Sequence, residues 1–329
     1  MRSSRVCAAG AAVVLCAVTG APAPAADKPG NEGFTIEDPR ITESSGLVAS
    51  RAHPGVYWTH NDQDSGAYLY AVDSRTGRTV ARVTMTGVGT PRDVEAISMG
   101  PDGSLYVGDI GDNFHGKWSY VWVYKLPEPK ELRDQTIRAK QYVVKYADGP
   151  RDAEALMVHP KTGRVYIADK QEDGGSLYQG PATLSSSRAN VFRRVASTDL
   201  WVTDGAFSPD GRHLALRGYL GGVAYAWQGD GRIKREGRLR VPLQRQGESV
   251  AYSPDGSRLM YGTEGGQSDV EAVEVEGAGG GGSSSGGGSG DGDGGGDGAF
   301  SGGAAKGAVV LGVVVLAVVG LKRVFRRGR

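Results

Sequence analysis

Residues 93–109 read DVEAISMGPDGSLYVGD, and the same pattern recurs along the chain with different residues. A polar or acidic residue precedes a short apolar run, a turn rich in Pro, Asp and Gly follows, and a second apolar run ends in polar residues. The other four copies are SSGLVASRAHPGVYWTH from Ser44, DAEALMVHPKTGRVYIAD from Asp152, TDGAFSPDGRHLALRG from Thr203 and GESVAYSPDGSRLMYGT from Gly247. Recurrence of one strand-turn-strand unit indicates a repeat architecture.

The spacing of these copies predicts the fold. Between residues 33 and 276, short runs rich in Val, Tyr, Ile and Leu alternate with turn strings such as PDG, RTG and GDG, which is typical of strands. No segment there sustains a helical period, so the domain is predicted to be all-β. Aligned on Ser45, Glu95, Glu154, Gly205 and Glu248, the copies are 50, 59, 51 and 43 residues apart. Four-stranded propeller blades repeat every ~40–50 residues, so we predict a β-propeller of five blades, with six as the alternative count.

The second interval shows the four strands most clearly, at residues 96–99, 105–108, 120–126 and 139–146, with a charged loop at 127–135. The last copy has room for only one more strand, at residues 270–275. We therefore expect the N-terminal segment 33–41, GFTIEDPRI, to supply the missing outer strand and close the ring, because closure removes open sheet edges.

Residues 1–26 have the features of a secretory signal peptide. Two arginines precede an apolar segment at residues 6–18, and the small residues Ala23 and Ala25 fit cleavage by signal peptidase. The alternative is a buried N-terminal helix, but the apolar segment is short for one. The propeller is then expected to span residues 27–276.

A second membrane signal lies near the C-terminus. Residues 277–303 are nearly all Gly, Ser and Asp and are predicted to form a flexible linker. Residues 304–321 include an apolar run that we predict to be a transmembrane helix, although it is somewhat short for the ~20 residues that a bilayer requires. The basic tail 322–329 predicts a cytoplasmic C-terminus, with the propeller extracellular.

Charge and cysteine content exclude several classes of function. The net charge is +1, so there is no global electrostatic reason to expect a nucleic-acid partner. Cys7 and Cys16 both lie inside the predicted signal peptide. The mature domain would therefore have no disulfide, no thiolate nucleophile and no cysteine-based zinc site.

Short motifs carry a resemblance to known propellers. The strings SPDGRHLAL and SPDGSRLMY resemble those of WD-repeat-like bacterial propellers. The strings THND, GDIGDN and DAEAL are similar to those of secreted bacterial proteins of the esterase-like, phytase-related propeller group. This resemblance implies a metal-dependent phosphoesterase. No complete catalytic set matches residue by residue.

Strand polarity predicts where acidic residues gather. The start of a blade's first strand and the end of its second strand meet at the same end of the channel, so the acids there should form one electronegative mouth. The residues predicted to bind a metal are Asp93, Glu95, Asp109, Asp152, Glu154 and Asp169. Oxygen ligands of this kind suit calcium. The alternative is structural: the acids accept backbone hydrogen bonds and pair with Arg92 and Arg151.

A second set at the same mouth is predicted to bind a ligand: His60, Asn61, Asp62, Lys170, Arg217, Glu248 and Glu264. His60 has the chemistry of a general base beside Asp62, or of a hydrogen-bonded structural histidine. Ser249 in GESVA resembles an esterase elbow, but it opens a strand rather than a strand-to-helix turn. No catalytic residue is therefore assigned.

These patterns favour a membrane-anchored extracellular propeller that binds an unidentified ligand or protein. The alternative is a calcium-dependent hydrolase, of phosphoesterase or esterase type, that uses the acidic mouth. The long linker and the absence of a complete nucleophile motif favour binding.

Overall fold

The computed structural model describes residues 29–62, 66–113 and 116–276. These ranges contain strands and turns but no helix, and thus no helix that meets the length and hydropathy required to cross a membrane. The predicted signal peptide (1–26), linker (277–303), transmembrane helix (304–321) and basic tail (322–329) lie outside the described residues.

The strands of the first half are β1 (Phe34–Thr35), β2 (Ser44–Ala49), β3 (Val56–Asn61), β4 (Tyr68–Asp73), β5 (Thr79–Thr86), β6 (Val94–Met99), β7 (Ser104–Asp109), β8 (Val121–Pro127), β9 (Gln135–Arg138) and β10 (Lys140–Tyr146). Those of the second half are β11 (Ala153–Val158), β12 (Val165–Asp169), β13 (Ser176–Gln179), β14 (Asn190–Ser197), β15 (Val202–Phe207), β16 (His213–Gly218), β17 (Gly221–Trp227), β18 (Ile233–Leu239), β19 (Gly247–Tyr252), β20 (Arg258–Thr263) and β21 (Asp269–Glu274).

The strands form antiparallel four-stranded units around a centre. The sheet orders are β2-β3-β4-β5-β9, β15-β16-β17-β18 and β1-β21-β20-β19, together with an eight-stranded sheet in which β6-β7-β8-β10 joins β11-β12-β13-β14. The junction is a parallel pairing of β10 with β14. The first strands β2, β6, β11, β15 and β19 pack side by side, and β19 returns to contact β2. The prediction of an all-β propeller is confirmed.

The N-terminal segment closes the ring as predicted. Strand β1 pairs antiparallel with β21, with Phe34 opposite Val270 and Thr35 opposite Asp269. It is shorter than the predicted segment because the chain leaves the sheet edge after Ile36, whose N–H donates to the Ser268 carbonyl at 2.8 Å. Gly77 lies against the end of β1, next to Thr35. A Cβ at that position would be 1.9 Å from the Thr35 carbonyl oxygen, so only glycine allows the approach.

One strand was missed. The predicted loop at 127–135 is followed by β9, which pairs parallel with β5 and adds a fifth strand to that sheet. Ala139 separates β9 from β10 and is buried. The consecutive strands β9 and β10 therefore contact the outer edges of neighbouring units and leave fewer open edges.

The apolar core lies between neighbouring units. Trp58, Leu105 and Tyr124 are each 0% exposed and belong to one cluster formed by the sheets that contain β3 and β7. The Trp58 indole N–H donates to Glu128 at 2.8 Å, so the one polar atom of this side chain is satisfied. Burial of large side chains between the sheets holds the units at fixed positions and thereby fixes the geometry of the mouth.

Candidate functional site

A cavity of about 640 Å³ lies at the end of the channel where the first strands begin. We call it the acidic mouth. Its described charged lining residues are the carboxylic acids Asp62, Glu95, Asp152, Glu154, Glu172, Asp173 and Glu248 and the cations Arg151 and Lys170. Two aromatic side chains, Trp201 and Tyr219, also line it. The prediction that acids gather at one mouth agrees with this geometry.

A recurrent β-bulge positions the innermost acids. In each first strand the pairing skips one residue near the start, which is Glu95 in β6, Glu154 in β11 and Glu248 in β19. A bulged residue has no direct partner across the ladder, and the bulge re-aims its side chain. All three of these glutamates line the acidic mouth.

The same bulge corrects the alignment of the fourth repeat. The skipped residue there is Thr203, two positions before Gly205, which the sequence comparison had placed at this site. The next residue, Asp204, does not line the mouth. Its carboxylate instead accepts hydrogen bonds from the backbone N–H groups of Gly205 at 2.7 Å and Val250 at 2.8 Å.

Three buried carboxylates converge in one part of the mouth. Asp62, Asp93 and Glu95 each contribute an oxygen that lies within 4.8 Å of the others. Ser45 donates to Glu95 at 3.1 Å, and the Asn113 amide donates to Asp93 at 2.6 Å. Burial raises the pKa of Glu95 well above its usual value, and the nearby carboxylates of Asp62, Glu154 and Asp93 raise it further.

Gly111 is required for this close arrangement. A Cβ on Gly111 would lie 2.6 Å from an oxygen of Asp93 and 2.8 Å from an oxygen of Glu95. A side chain there would displace the carboxylates. The glycine in the GDIGDN string therefore allows the loop backbone to pack against both acids.

Lys170 occupies the other part of the mouth. Its ammonium group donates to Glu154 and, at 2.9 Å, to the Tyr219 hydroxyl. Burial acts to lower the pKa of Lys170, but Glu154, Tyr219, Glu248 and Glu95 outweigh it, so this pKa is raised well above its usual value. Lys170 is therefore a fixed positive charge, and it is neither a general base nor an amine nucleophile at neutral pH.

The six predicted metal-binding residues do not form one site. Asp93 and Glu95 lie in the carboxylate cluster, Glu154 pairs with Lys170, and Asp152 accepts from the Asp112 N–H at 2.8 Å. Asp109 is 0% exposed and accepts from the backbone N–H groups of Arg92 at 3.0 Å and Asp93 at 2.9 Å.

Asp169 is also set back from the cavity. It accepts from the Ser176 N–H at 2.5 Å, and Arg151 lies 3.6 Å away. Burial raises the pKa of Asp169 to about 6. Asp109 and Asp169 each end the second strand of their unit, and both fit the structural alternative in which mouth acids accept backbone hydrogen bonds.

Three of the seven predicted ligand-binding residues, Asp62, Lys170 and Glu248, line the acidic mouth. His60 does not, and it is 1% exposed. Its Nδ1 bonds with the Asn61 carbonyl at 3.1 Å, and burial lowers its pKa to about 4, so the ring is neutral. Within the described chain its Nε2 has no hydrogen-bond partner.

Asn61, Arg217 and Glu264 are also outside the cavity lining. The Asn61 side-chain oxygen accepts from the N–H groups of Thr42 at 3.1 Å and Glu43 at 3.2 Å, as Asp109 does in the next unit. Glu264 accepts from the Gln246 amide at 2.6 Å.

Arg217 is 0% exposed and donates to the Ser249 carbonyl at 2.7 Å and the Gly262 carbonyl at 2.9 Å. Its guanidinium also donates to Gln244 at 2.8 Å. The side chain thus bridges two sheets inside the protein instead of facing the mouth.

The predicted ligand-binding set leaves out the aromatic part of the site. Trp201 and Tyr219 contact each other edge to face, with ring centroids 5.2 Å apart. Trp201 directly precedes β15, and Tyr219 directly follows β16, the same corner at which the acids were sought. The strand-polarity argument would have placed both residues at the mouth if it had been applied to aromatic as well as charged side chains.

No known protein family and no curated protein matches this sequence. Among solved structures, the chain is similar to U3-55K (TM-score 0.40, 10% identity, covering 75% of this chain and 100% of that one). It is similar to the WD40 repeats of RRP9 (TM-score 0.40, 10% identity, covering 75% of this chain and 99% of that one). It is also similar to the hydrazine synthase of Kuenenia stuttgartiensis (TM-score 0.38, 14% identity, covering 67% of this chain and 61% of that one). The fold assignment rests on the strand pairing of this chain, and these similarities carry no argument about its function.

Proposed function

We propose that this chain is a five-bladed β-propeller that binds a ligand or protein through the acidic mouth. The ring of five first strands supports the count of five blades. The observation that carries the binding function is the composition of the cavity. Its described lining has seven carboxylic acids and only two cationic side chains, so a cationic group is the chemistry it would attract.

Exposed apolar residues at the same end favour a protein as the partner. Leu220 is 62% exposed beside Tyr219, and Leu243 is 85% exposed in the connection between β18 and β19. Tyr120 is 40% exposed just before β8, also at this end. Apolar side chains around a polar cavity are typical of an interaction surface, so we infer a partner segment with a lysine or arginine.

The test is a calorimetric titration of the full chain with trilysine, a soluble cationic probe, between pH 5 and 8. Because a bound cation favours ionised Glu95, affinity should rise with pH as the raised pKa of Glu95 is passed. The Glu95→Gln variant should lose much of this pH dependence. Absence of binding at any pH would refute the proposal.

A second candidate is calcium-dependent hydrolysis at the same mouth. The mutual spacing of Asp62, Asp93 and Glu95 supports a divalent cation, because calcium–oxygen distances of about 2.3–2.6 Å place ligand oxygens up to ~5 Å apart. These three residues would hold the ion, and the ion would polarise a phosphoryl or carbonyl oxygen. Asp62 would replace the more distant Asp109 and Asp169 in the predicted ligand set.

Calcium binding predicts a shift in thermal stability. An ion that binds only the folded state raises the unfolding free energy by about 2.7 kcal/mol at one hundred times Kd. The melting temperature of the chain should therefore be higher with calcium than with chelator, and Glu95→Gln should reduce the difference. Equal melting curves would reject the ion. Phosphate release from a generic phosphate ester, with and without calcium, tests the hydrolase separately.

The proposal includes an extracellular location with a membrane anchor. The apolar segment 304–321 and the basic tail 322–329 support a single span with a cytoplasmic C-terminus. Protease added to intact cells should cut within residues 277–303 and release a folded domain. Protection of this segment until the cells are lysed would contradict the orientation.

A further inference from the structure

A basic cleft lies at the opposite end of the propeller from the acidic mouth. It has a volume of about 360 Å³ and is formed by the start of β12, the end of β13, the start of β14 and the loop between these last two strands. Nothing in the acidic mouth contributes to it. Its chemistry is therefore independent of the proposed function.

The charges of the cleft are all positive. Arg164, Arg188 and Arg193 line it, and none of its lining residues is acidic. Within the described chain, Arg164 has one distant ion-pair partner, Asp230 at 3.8 Å, whose side chain is 88% exposed. Arg188 and Arg193 have no carboxylate within ion-pair distance in that same part of the chain.

The three arginines line one cleft, although the whole chain carries a net charge of only +1. Like charges held close together repel one another, and an anion would relieve that repulsion.

The loop that carries Arg188 has a defined shape. Asn190 is 2% exposed, and its side-chain oxygen accepts from the Ser185 N–H at 2.7 Å. Its amide donates to the carbonyls of Ser185 and Val143, each at 3.0 Å. These bonds tie the loop to β10. Arg188 is therefore presented from a supported turn, Arg164 from the residue before β12, and Arg193 from β14.

We propose that this cleft binds a phosphate group, as inorganic phosphate or as a phosphate monoester. Guanidinium groups donate paired hydrogen bonds that match the spacing of phosphate oxygens, and the bonds are strengthened by charge. Thr183 and Ser185, which also line the cleft, offer hydroxyl donors to the same oxygens. Three arginines with no acid among the lining residues fit a dianion better than a single carboxylate.

The test is isothermal titration of the full chain with inorganic phosphate and, separately, with glycerol 1-phosphate at constant ionic strength. Binding of either probe is expected in the parent chain. The probe that binds more tightly shows whether the cleft prefers free phosphate or a phosphate monoester. A double variant, Arg188→Gln with Arg193→Gln, should weaken binding by at least about tenfold, because it removes charge-assisted hydrogen bonds.

The matched control is Arg238→Gln with Arg240→Gln. It makes the same change in charge at two exposed residues outside the cleft lining. This control should bind as the parent chain does. The proposal is overturned if neither probe binds the parent, or if the cleft and control variants lose affinity equally. Because the mouth is at the other end from the cleft, trilysine binding should be the same in the Arg188→Gln, Arg193→Gln variant as in the parent chain.

Discussion

Removing residues 29–41 is expected to destabilise the propeller severely. This segment contributes β1, whose pairing covers the edge of β21, and it buries Ile36 and Ile41 to 1% and 0% exposure. Burial of the two isoleucines alone is worth about 3–6 kcal/mol. Whole domains are stable by only ~5–15 kcal/mol, so the truncated chain should melt at a much lower temperature.

A pair of variants separates packing from strand closure. Ile36→Ala with Ile41→Ala keeps the backbone but removes the buried side chains, and it should account for much of the loss. Glu32→Gln, at an exposed residue of the same segment, should leave the melting temperature nearly unchanged. A truncated chain that melts like the parent would show that the N-terminal segment does not close the ring.

Arg217→Met is expected to lower the unfolding free energy by about 3–5 kcal/mol, because it breaks a buried charged network. The variant leaves the carbonyls of Ser249 and Gly262 without their donor. It also removes the positive charge that acts on Glu248 and Asp204 inside the protein. Burial lowers the pKa of Arg217 to about 10, so the guanidinium remains charged at neutral pH.

The measurement is urea unfolding of the parent chain and of two variants. Arg235→Met removes an exposed pair with Asp199 at 3.7 Å, and this should cost no more than ~1 kcal/mol. Arg217→Lys should remain destabilised, because an ammonium group cannot reproduce the planar fork that reaches both carbonyls. Equal midpoints for Arg217→Met and Arg235→Met would contradict a structural role for Arg217.

The fold was predictable because its signals are local and repeated. Alternating apolar residues, Pro-Asp-Gly turns and a repeat spacing of 43–59 residues indicated the units, and the short last repeat indicated that residues 33–41 complete it. The strand β9 was missed because its residues are only half-buried or exposed. A short edge strand of mostly polar residues, such as QTIR in β9, has the same composition as a surface loop, so period and hydropathy do not separate the two.

The site was predictable only as a region. Strand polarity placed the acids at one mouth, but polarity does not say which way a side chain points at the end of a strand. The bulges direct Glu95, Glu154 and Glu248 into the cavity, whereas Asp109 turns back to backbone N–H groups. A bulge shifts the register by one residue and has no consistent sequence signature here, since the skipped residue is Ser45 in the first unit and Thr203 in the fourth.

The cationic residues also show that sequence position alone does not decide which way a side chain points. Lys170 and Arg217 have similar positions in their repeats, one after and one before the last residue of a second strand. That two-residue difference places one ammonium group in the mouth and one guanidinium group in the interior. A sequence comparison without the register could not separate them.

The most direct test of the acidic mouth is a titration with trilysine in two charge-matched variants. One neutralises the mouth by Asp62→Asn, Glu95→Gln and Glu248→Gln. The other neutralises three exposed acids away from the mouth by Glu131→Gln, Glu274→Gln and Glu276→Gln. If the mouth binds the cationic group, the first variant should lose at least about tenfold in affinity while the second keeps the parent value. Equal affinities in the two variants would contradict the account.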